Sequence, residues 1–211
     1  MTETKKRNHQ HRPRTKKRRT TDGKESRPMK SILYSDPLAP LLIRNELFSL
    51  LPAHISRLTV VCIGSNRING DSLGPFVGTL LENAYPDHLT VIGTLRQPVD
   101  ATNIRRVSEQ LQNEHGAYVV AIDSIVGPQP FVHTIAIRPG ALSPGTALGK
   151  SLPSIGDISM MGVVMEDTAD MSALPYTNLH IVYQMAKVIA LGLSLTIRQR
   201  YGYESSTPLL A

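Results

Sequence analysis

Short apolar runs rich in β-branched residues alternate with helical segments through most of the chain, and this order constrains the fold more than any other feature. Three of the runs are continuous and of the length of a buried strand, one alternates as an edge or antiparallel strand does, and one lies late in the chain. The runs are LTVVCI (58–63), TVIGTL (90–95), YVVAI (118–122), VHTIAI (132–137) and ISMMGVV (158–164). Alternation with helices predicts an α/β protein, a three-layer α/β/α sandwich with a mainly parallel sheet.

Apolar residues recur at helical spacing in four segments between or beside these runs. The segments are PLLIRNELFSLLP (40–52), LGPFVGTLLENAY (73–85), ATNIRRVSEQLQNEH (101–115) and TNLHIVYQMAKVIALGLSL (177–195). Pro52 ends the first helix, and Pro75 fits the first turn of the second, where a missing N–H costs little. Pro175 and a capping Thr177 are predicted to begin the last helix.

Basic residues are concentrated at the amino terminus. Residues 1–30 hold 12 Lys and Arg against 3 acidic residues, whereas residues 31–211 hold 11 against 14. A segment so charged, with almost no apolar side chains, cannot bury enough surface to offset its ordering entropy. The sequence therefore predicts a disordered basic arm (1–30), an N-terminal helix and connection (31–55), a single α/β domain (56–200) and a C-terminal tail (201–211).

The basic arm favours non-specific contact with nucleic acid or with another anionic partner, and the alternative is a solvated extension. No apolar segment of a secretory signal follows it, and the longest apolar stretch, VIALGLSLTI (188–197), is too short to span a bilayer. The lone cysteine, Cys62, fits a reducing compartment. We therefore expect a cytoplasmic protein without membrane contact, and its oligomeric state stays open.

Two aspartates follow predicted strands. Asp71 lies in the loop of VCIGSNRINGDSLGPF (61–76), and Asp123 directly ends the third run in YVVAIDS. Because sites in α/β folds form at the carboxyl ends of strands, both acids can face one crevice. Two carboxylates so placed do not both ionise readily, so one holds a proton while the other acts as a base. A water between them could then attack a peptide carbonyl.

Two other interpretations of these aspartates stay open at this point. Asp71 could cap the helix that begins near Leu73, and Asp123 could stabilise the turn that follows it. A metal site is the other alternative, but it needs a third ligand, for which His133 and His180 are the candidates.

No nucleotide cofactor is predicted. SPGTALGKS (143–151) has Pro144 where a phosphate loop requires its first glycine, and Pro153 follows where that motif requires a helix. Lys150 in this segment remains a candidate substrate-binding residue, because a lysine there could hold a substrate carbonyl or act on a nearby aspartate. Asn66 and Arg67, in the loop of Asp71, are the other candidates. No cofactor and no metal ligand set are predicted.

Five motifs, read in order over about residues 56–195, resemble the YyaC-type sporulation proteins of endospore-forming bacteria. They are CIGSNRINGDSLGPFVG, GTLRQPVDATN, VVAIDS, PGTALGKSLPSIGDISMMGVV and LPYTNLHIVYQMAKVIALG. That family is similar to the spore germination protease, which degrades small acid-soluble spore proteins, and more distantly to hydrogenase maturation proteases. The resemblance implies the same three-layer fold, of the phosphorylase/hydrolase-like type.

The resemblance also implies a role for both aspartates. In the germination protease one catalytic aspartate lies in a D-x-L-G-P motif, here Asp71, and the other in an A-I-D motif, here Asp123. In the hydrogenase proteases the acids at these places contact a metal. The body of this chain is much shorter than the germination protease, so we expect parts of that enzyme's substrate cleft or assembly surface to have no counterpart here.

The function implied is a sporulation-associated peptidase that hydrolyses protein or peptide substrates, such as small acid-soluble spore proteins, in the forespore or mother cell. One alternative is a non-catalytic sporulation protein that docks on DNA or an anionic spore component through the arm. The other is a metal-dependent maturation protease.

Overall fold

Six strands form one mixed sheet in the computed structural model of the protein, which describes residues 1, 30–114, 117–145, 152–167, 171–204 and 206–210. The strands are β1 (Lys30–Leu33), β2 (Leu58–Cys62), β3 (Leu89–Ile92), β4 (Tyr118–Gly127), β5 (Thr134–Pro139) and β6 (Ile158–Glu166). The helices are α1 (Ala39–Leu50), α2 (Leu73–Leu81), α3 (Ile104–Asn113) and α4 (Leu179–Tyr201).

The strand order is β1-β5-β6-β4-β2-β3. Neighbours from β6 to β3 are parallel, and β5 runs antiparallel to both β6 and β1. Every residue of β2 is buried, as expected for a central parallel strand covered on both faces. The mainly parallel sheet predicted from the sequence is therefore confirmed.

Helices cover both faces of this sheet. On one face α1, α2 and α4 pack over a large apolar cluster that includes Val60, Val120 and Met160. On the other face α3 packs over a smaller cluster of strand residues. Successive strand residues point to opposite faces, which explains why neighbours along one strand belong to different clusters. The α/β/α arrangement follows directly.

The outer end of the sheet differs from the prediction. VHTIAI was predicted as an edge or antiparallel strand, and β5 is indeed antiparallel, but it is not at the edge. Strand β1 pairs outside it, with Lys30 opposite Ile137 and Leu33 opposite Thr134. The predicted arm therefore overlaps the sheet at Lys30, and its residues 2–29 lie outside the described part of the chain.

The start of α4 also differs from the prediction. Asn178, not Thr177, is the N-cap, and its side-chain oxygen accepts hydrogen bonds from the backbone N–H groups of His180 and Ile181. Pro175 does not begin α4 but lies inside a preceding 3-10 helix, Met171–Tyr176. The helix ends at Gly202, whose left-handed conformation (φ 71°) forms the C-cap.

Helix α4 is the core helix of the fold. Among the described residues it is the one helix long and apolar enough to cross a membrane, but 56% of its most apolar window is buried inside the protein. Ala186, Ile189 and Leu193 are completely buried. Ile43 and Leu47 of α1 belong to the same cluster, so the segment 31–55 contributes to the core of the α/β domain.

Candidate active site at the carboxyl edge of the sheet

The connections that follow the neighbouring strands β2 and β4 lead to opposite sides of the sheet. From β2 the chain crosses through α2 to the outer strand β3, and from β4 it continues toward β5 and β6 on the other side. Connections that leave two neighbouring parallel strands in opposite directions open a crevice at their carboxyl ends, which is where ligands bind in such folds. Both candidate aspartates lie at this point.

The loop after β2 is held in one conformation by backbone contacts. The N–H of Ser65 donates to the carbonyl of Asp71 (2.9 Å), and the N–H of Asp71 donates to the carbonyl of Ile68 (3.0 Å). A Cβ on Gly64 (φ +142°) would lie 2.1 Å from the same Asp71 carbonyl, so only glycine fits there. The loop therefore fixes the backbone that carries the Asp71 carboxylate.

The residues after Asp71 bring α2 against the end of β2. Ser72 occupies the N-cap position of α2, but its hydroxyl donates to the carbonyls of Ser65 (3.0 Å) and Ile68 (2.9 Å) and does not cap the helix. A Cβ on Gly74 would lie 2.1 Å from the carbonyl oxygen of Ile63. The glycine of the D-S-L-G-P motif therefore permits this close approach.

Asp123 lies inside β4 and does not end it, which corrects the prediction. The strand continues to Gly127 because β6 pairs with it along the whole of this stretch. The pairing of β2 stops one residue earlier, with Cys62 opposite Ile122. Asp123 is thus the first residue of β4 beyond the end of β2, where the crevice begins.

Asp71 and Asp123 line the same cavity, which has a volume of about 370 Å³. Its lining comes from β4, β5, β6, the 3-10 helix and the segment after β5. The other lining residues are Ser124, Ile125, Val126, Arg138, Leu142, Ser143, Gly145, Met161, Met171 and Leu174. Asp123 is 7% exposed, whereas Asp71 is half-buried. The predicted convergence of the two acids is thus observed.

The two carboxyl groups of this cavity are electrostatically coupled. Burial raises the pKa of Asp123 well above its usual value, and the negative charge of Asp71 raises that pKa further. The N–H of Ser124 donates to Asp123 (2.8 Å), which opposes the rise but does not reverse it. Asp123 therefore keeps its proton at a pH at which an exposed aspartate has lost it.

The histidines considered as metal ligands lie elsewhere. His133 lines a separate cavity beside Glu166 and Asn178, and His180 is exposed in the first turn of α4. Within the described ranges no group of three His, Cys, Asp or Glu side chains is placed to hold a metal ion. The described residues therefore supply two carboxylates at this site but no third ligand beside them.

Two of the three predicted substrate-binding residues, Asn66 and Arg67, do not join the aspartates. Asn66 and Arg67 are exposed and do not line the cavity, and the side-chain amide of Asn66 donates to the carbonyl of Leu95 (2.8 Å). Lys150 lies outside the described residues. Their role in substrate binding stays a prediction.

Sequence reasoning missed Arg138, Met171 and Leu174, which the structure brings to the cavity. Arg138 lies on β5, two strands away from Asp123. A partial signal exists for the arginine, because Arg138 ends an apolar run. The sequence around Arg138 does not show that β5 lines the cavity of the two aspartates.

Cys62 is completely buried at the end of β2, and burial raises the pKa of its thiol. A thiol so placed is structural and not a nucleophile.

The fold and this site define an α/β protein with a pair of aspartates at the switch point of its sheet. The chain belongs to the family described as "Protein of unknown function (DUF1256)", which it matches over residues 31–192. It is 35% identical over 188 residues to "Uncharacterized protein YyaC" of Bacillus subtilis (strain 168), a match that covers 88% of this chain and 92% of that protein. The resemblance to the YyaC-type proteins is therefore confirmed.

This chain is also similar to a solved structure, the [NiFe] hydrogenase maturation protease HycI from Thermococcus kodakarensis KOD1. The match covers 68% of this chain and 98% of the HycI chain. The sequence identity is 14% and the TM-score is 0.33. A likeness at this level carries no argument about activity.

Proposed function

We propose that the protein is a peptidase in which Asp71 and Asp123 act as a pair. The observation that carries the proposal is that two carboxyl groups from separate elements line one cavity, and that the charge of one raises the pKa of the other. Such a pair supplies an acid and a base at the same pH, which hydrolysis of a peptide bond requires.

The difference in burial assigns the roles. Asp123, nearly fully buried, holds the proton and donates it to the carbonyl oxygen of the scissile peptide. Asp71, more exposed, accepts a proton from the attacking water, whose oxygen bonds to the carbonyl carbon. Proton transfer from Asp71 to the amide nitrogen then lets the C–N bond break, and Asp123 recovers its proton as the new carboxyl group forms.

The shape of the cavity supports a peptide as the substrate. A volume of about 370 Å³ lies within the usual range for ligand pockets, and the apolar side chains of Met161, Met171 and Leu174 provide a wall for apolar parts of a chain. The polar side chains of the lining are those of Asp71, Asp123, Ser124, Arg138 and Ser143. This arrangement suits a substrate held by apolar contacts around a reacting amide.

The sporulation role belongs to the same proposal. The motifs that resemble the YyaC-type and germination-protease sequences support it, and they suggest small acid-soluble spore proteins as the first substrates to try. We place the activity in the forespore or mother cell on the same basis.

The test is to incubate the full-length protein with small acid-soluble spore proteins and with a peptide library, and to detect new termini by mass spectrometry. Asp71→Asn and Asp123→Asn are each expected to lower kcat by at least about 100-fold, because each removes one partner of acid–base catalysis. Both variants are expected to fold.

Asp87→Asn is the matched control, since Asp87 is exposed and does not line the cavity. It is expected to cleave like the wild type. Cleavage that persists at the wild-type rate in either site variant would refute the aspartate pair as the catalytic machinery.

A further inference from the structure

Arg138 is the one cation among the described residues that line the cavity of Asp71 and Asp123. Its side chain forms no ion pair with any carboxylate in the part of the chain that the structure describes. An arginine that forms no such ion pair retains its capacity for a bidentate contact with a substrate carboxylate.

Arg138 and Asp123 lie on the same face of the sheet. Ala121, two residues before Asp123, and Ala136, two residues before Arg138, both belong to the apolar cluster on the α3 face. Because strand side chains alternate with a period of two, Asp123 and Arg138 point to that face as well. Both therefore border the cavity from one side.

The register of the sheet sets the separation of the two residues. Asp123 is opposite Met161 of β6, and Met161 is opposite Ala136 of β5. Two strand intervals give about 10 Å across the sheet, and the two residues from Ala136 to Arg138 add about 7 Å along it, so the Cα atoms of Asp123 and Arg138 are about 12 Å apart. An extended peptide covers this in roughly three to four residues, and the side chains at both ends shorten the span.

The charges of the cavity are therefore separated. The backbones of Asp123 and Arg138 are two strands apart, no ion pair joins Arg138 to either aspartate, and the apolar residues Met161 and Leu142 also belong to the lining. An acidic substrate group is attracted at Arg138. Among the described lining residues, Arg138 is therefore the position that favours a substrate carboxylate.

We propose that Arg138 determines specificity by binding an acidic side chain of the substrate within about three residues of the scissile bond. This rests on the proposed peptidase function, and it names the substrate class as acidic peptide segments with apolar neighbours. Arg138 contacts the substrate but takes no part in the proton transfers.

The test compares a labelled peptide library that has Glu fixed at its centre with a matching library that has Gln there. The wild type is expected to prefer the Glu peptides by roughly 10-fold in kcat/KM, mainly through KM, because the contact is a charge-assisted hydrogen bond made in the ground state as well. Arg138→Gln is expected to lose this preference, and Arg138→Glu to favour a library with Lys at the same position.

Arg105→Gln is the control, since Arg105 is exposed on α3 and does not line the cavity. It is expected to keep the wild-type ratio between the Glu and Gln libraries. An unchanged ratio in Arg138→Gln would overturn the proposal, as would a wild type that shows no preference for Glu.

A binding measurement separates this proposal from the peptidase function. Fluorescence anisotropy of the two libraries with Asp123→Asn, which retains Arg138, reports recognition without cleavage. Preferential binding of the Glu library that disappears in Asp123→Asn/Arg138→Gln supports the role of Arg138 even if no peptide is cleaved. Equal binding of both libraries overturns it even if cleavage occurs.

Discussion

Replacing Asp123 by Asn is expected to stabilise the protein above about pH 4, by an amount that grows with pH. The folded state raises the pKa of Asp123 through burial and through the charge of Asp71. An aspartate in the unfolded chain titrates near pH 3.9, so between that pH and the folded pKa only the folded state carries the proton. The favourable contribution of the protonated group is complete below the unfolded pKa and is lost as the pH rises toward the folded pKa.

The magnitude follows from this proton difference. One proton bound by the folded state alone lowers the free energy of unfolding by about 1.4 kcal/mol per pH unit. In a chain of this size that corresponds to about 3–5 °C in melting temperature per pH unit. Asn does not titrate, and its side-chain oxygen can still accept the hydrogen bond from Ser124 (2.8 Å in the wild type).

The assay is thermal unfolding of the wild type and Asp123→Asn from pH 4 to pH 8, and the quantity of interest is the difference in melting temperature at each pH. That difference is expected to be small at pH 4 and to rise with pH. Asp87→Asn, which removes an exposed carboxylate, is expected to show no comparable rise. A constant difference across the range, or a variant less stable than the wild type throughout, would refute the reasoning.

Two further predictions concern the elements that position the site. Gly74→Ala is expected to lower the free energy of unfolding by about 1–3 kcal/mol, because the added Cβ would lie 2.1 Å from the Ile63 carbonyl oxygen. Urea titration measures this change, and unchanged stability would mean that α2 can move away from β2 freely. Asn178→Ala is expected to lower the free energy of unfolding by about 1 kcal/mol because it removes the cap of α4, whereas Asn178→Asp keeps the cap. Equal melting temperatures for the wild type and both variants would contradict the assigned cap.

The stability prediction bears on why the chain contains Asp123. A residue whose replacement stabilises the fold is not there as a cap or a turn-former, because those roles contribute to stability. Strained or destabilising groups persist where function requires them. A measured gain in Asp123→Asn would therefore favour chemistry over the capping interpretation.

The strands and helices of the core could be predicted because their signals are local. The run LTVVCI and the helical spacing after Asp71 are properties of consecutive residues, and β2 and α2 form where these patterns lie. The order of the elements then placed both aspartates near the carboxyl edge, as the structure shows.

The features that the sequence missed depend on distant partners or on a choice between equivalent neighbours. Strand β1 is short, and its pairing with β5 joins residues about a hundred positions apart. Thr177 and Asn178 are adjacent and both favourable caps, so the pattern cannot choose between them. Asp123 lies inside β4 because β6 extends the pairing, which is a property of the assembled sheet.

The measurement that tests the coupled aspartate pair most directly is a carboxyl-carbon NMR titration of Asp123 in the wild type and in Asp71→Asn. The wild-type carboxyl is expected to titrate well above the usual pH of an aspartate, and the variant's at lower pH, because the charge of Asp71 is removed while the burial of Asp123 remains. A wild-type Asp123 that titrates like an exposed aspartate, or one whose titration is the same in Asp71→Asn, would contradict the pair.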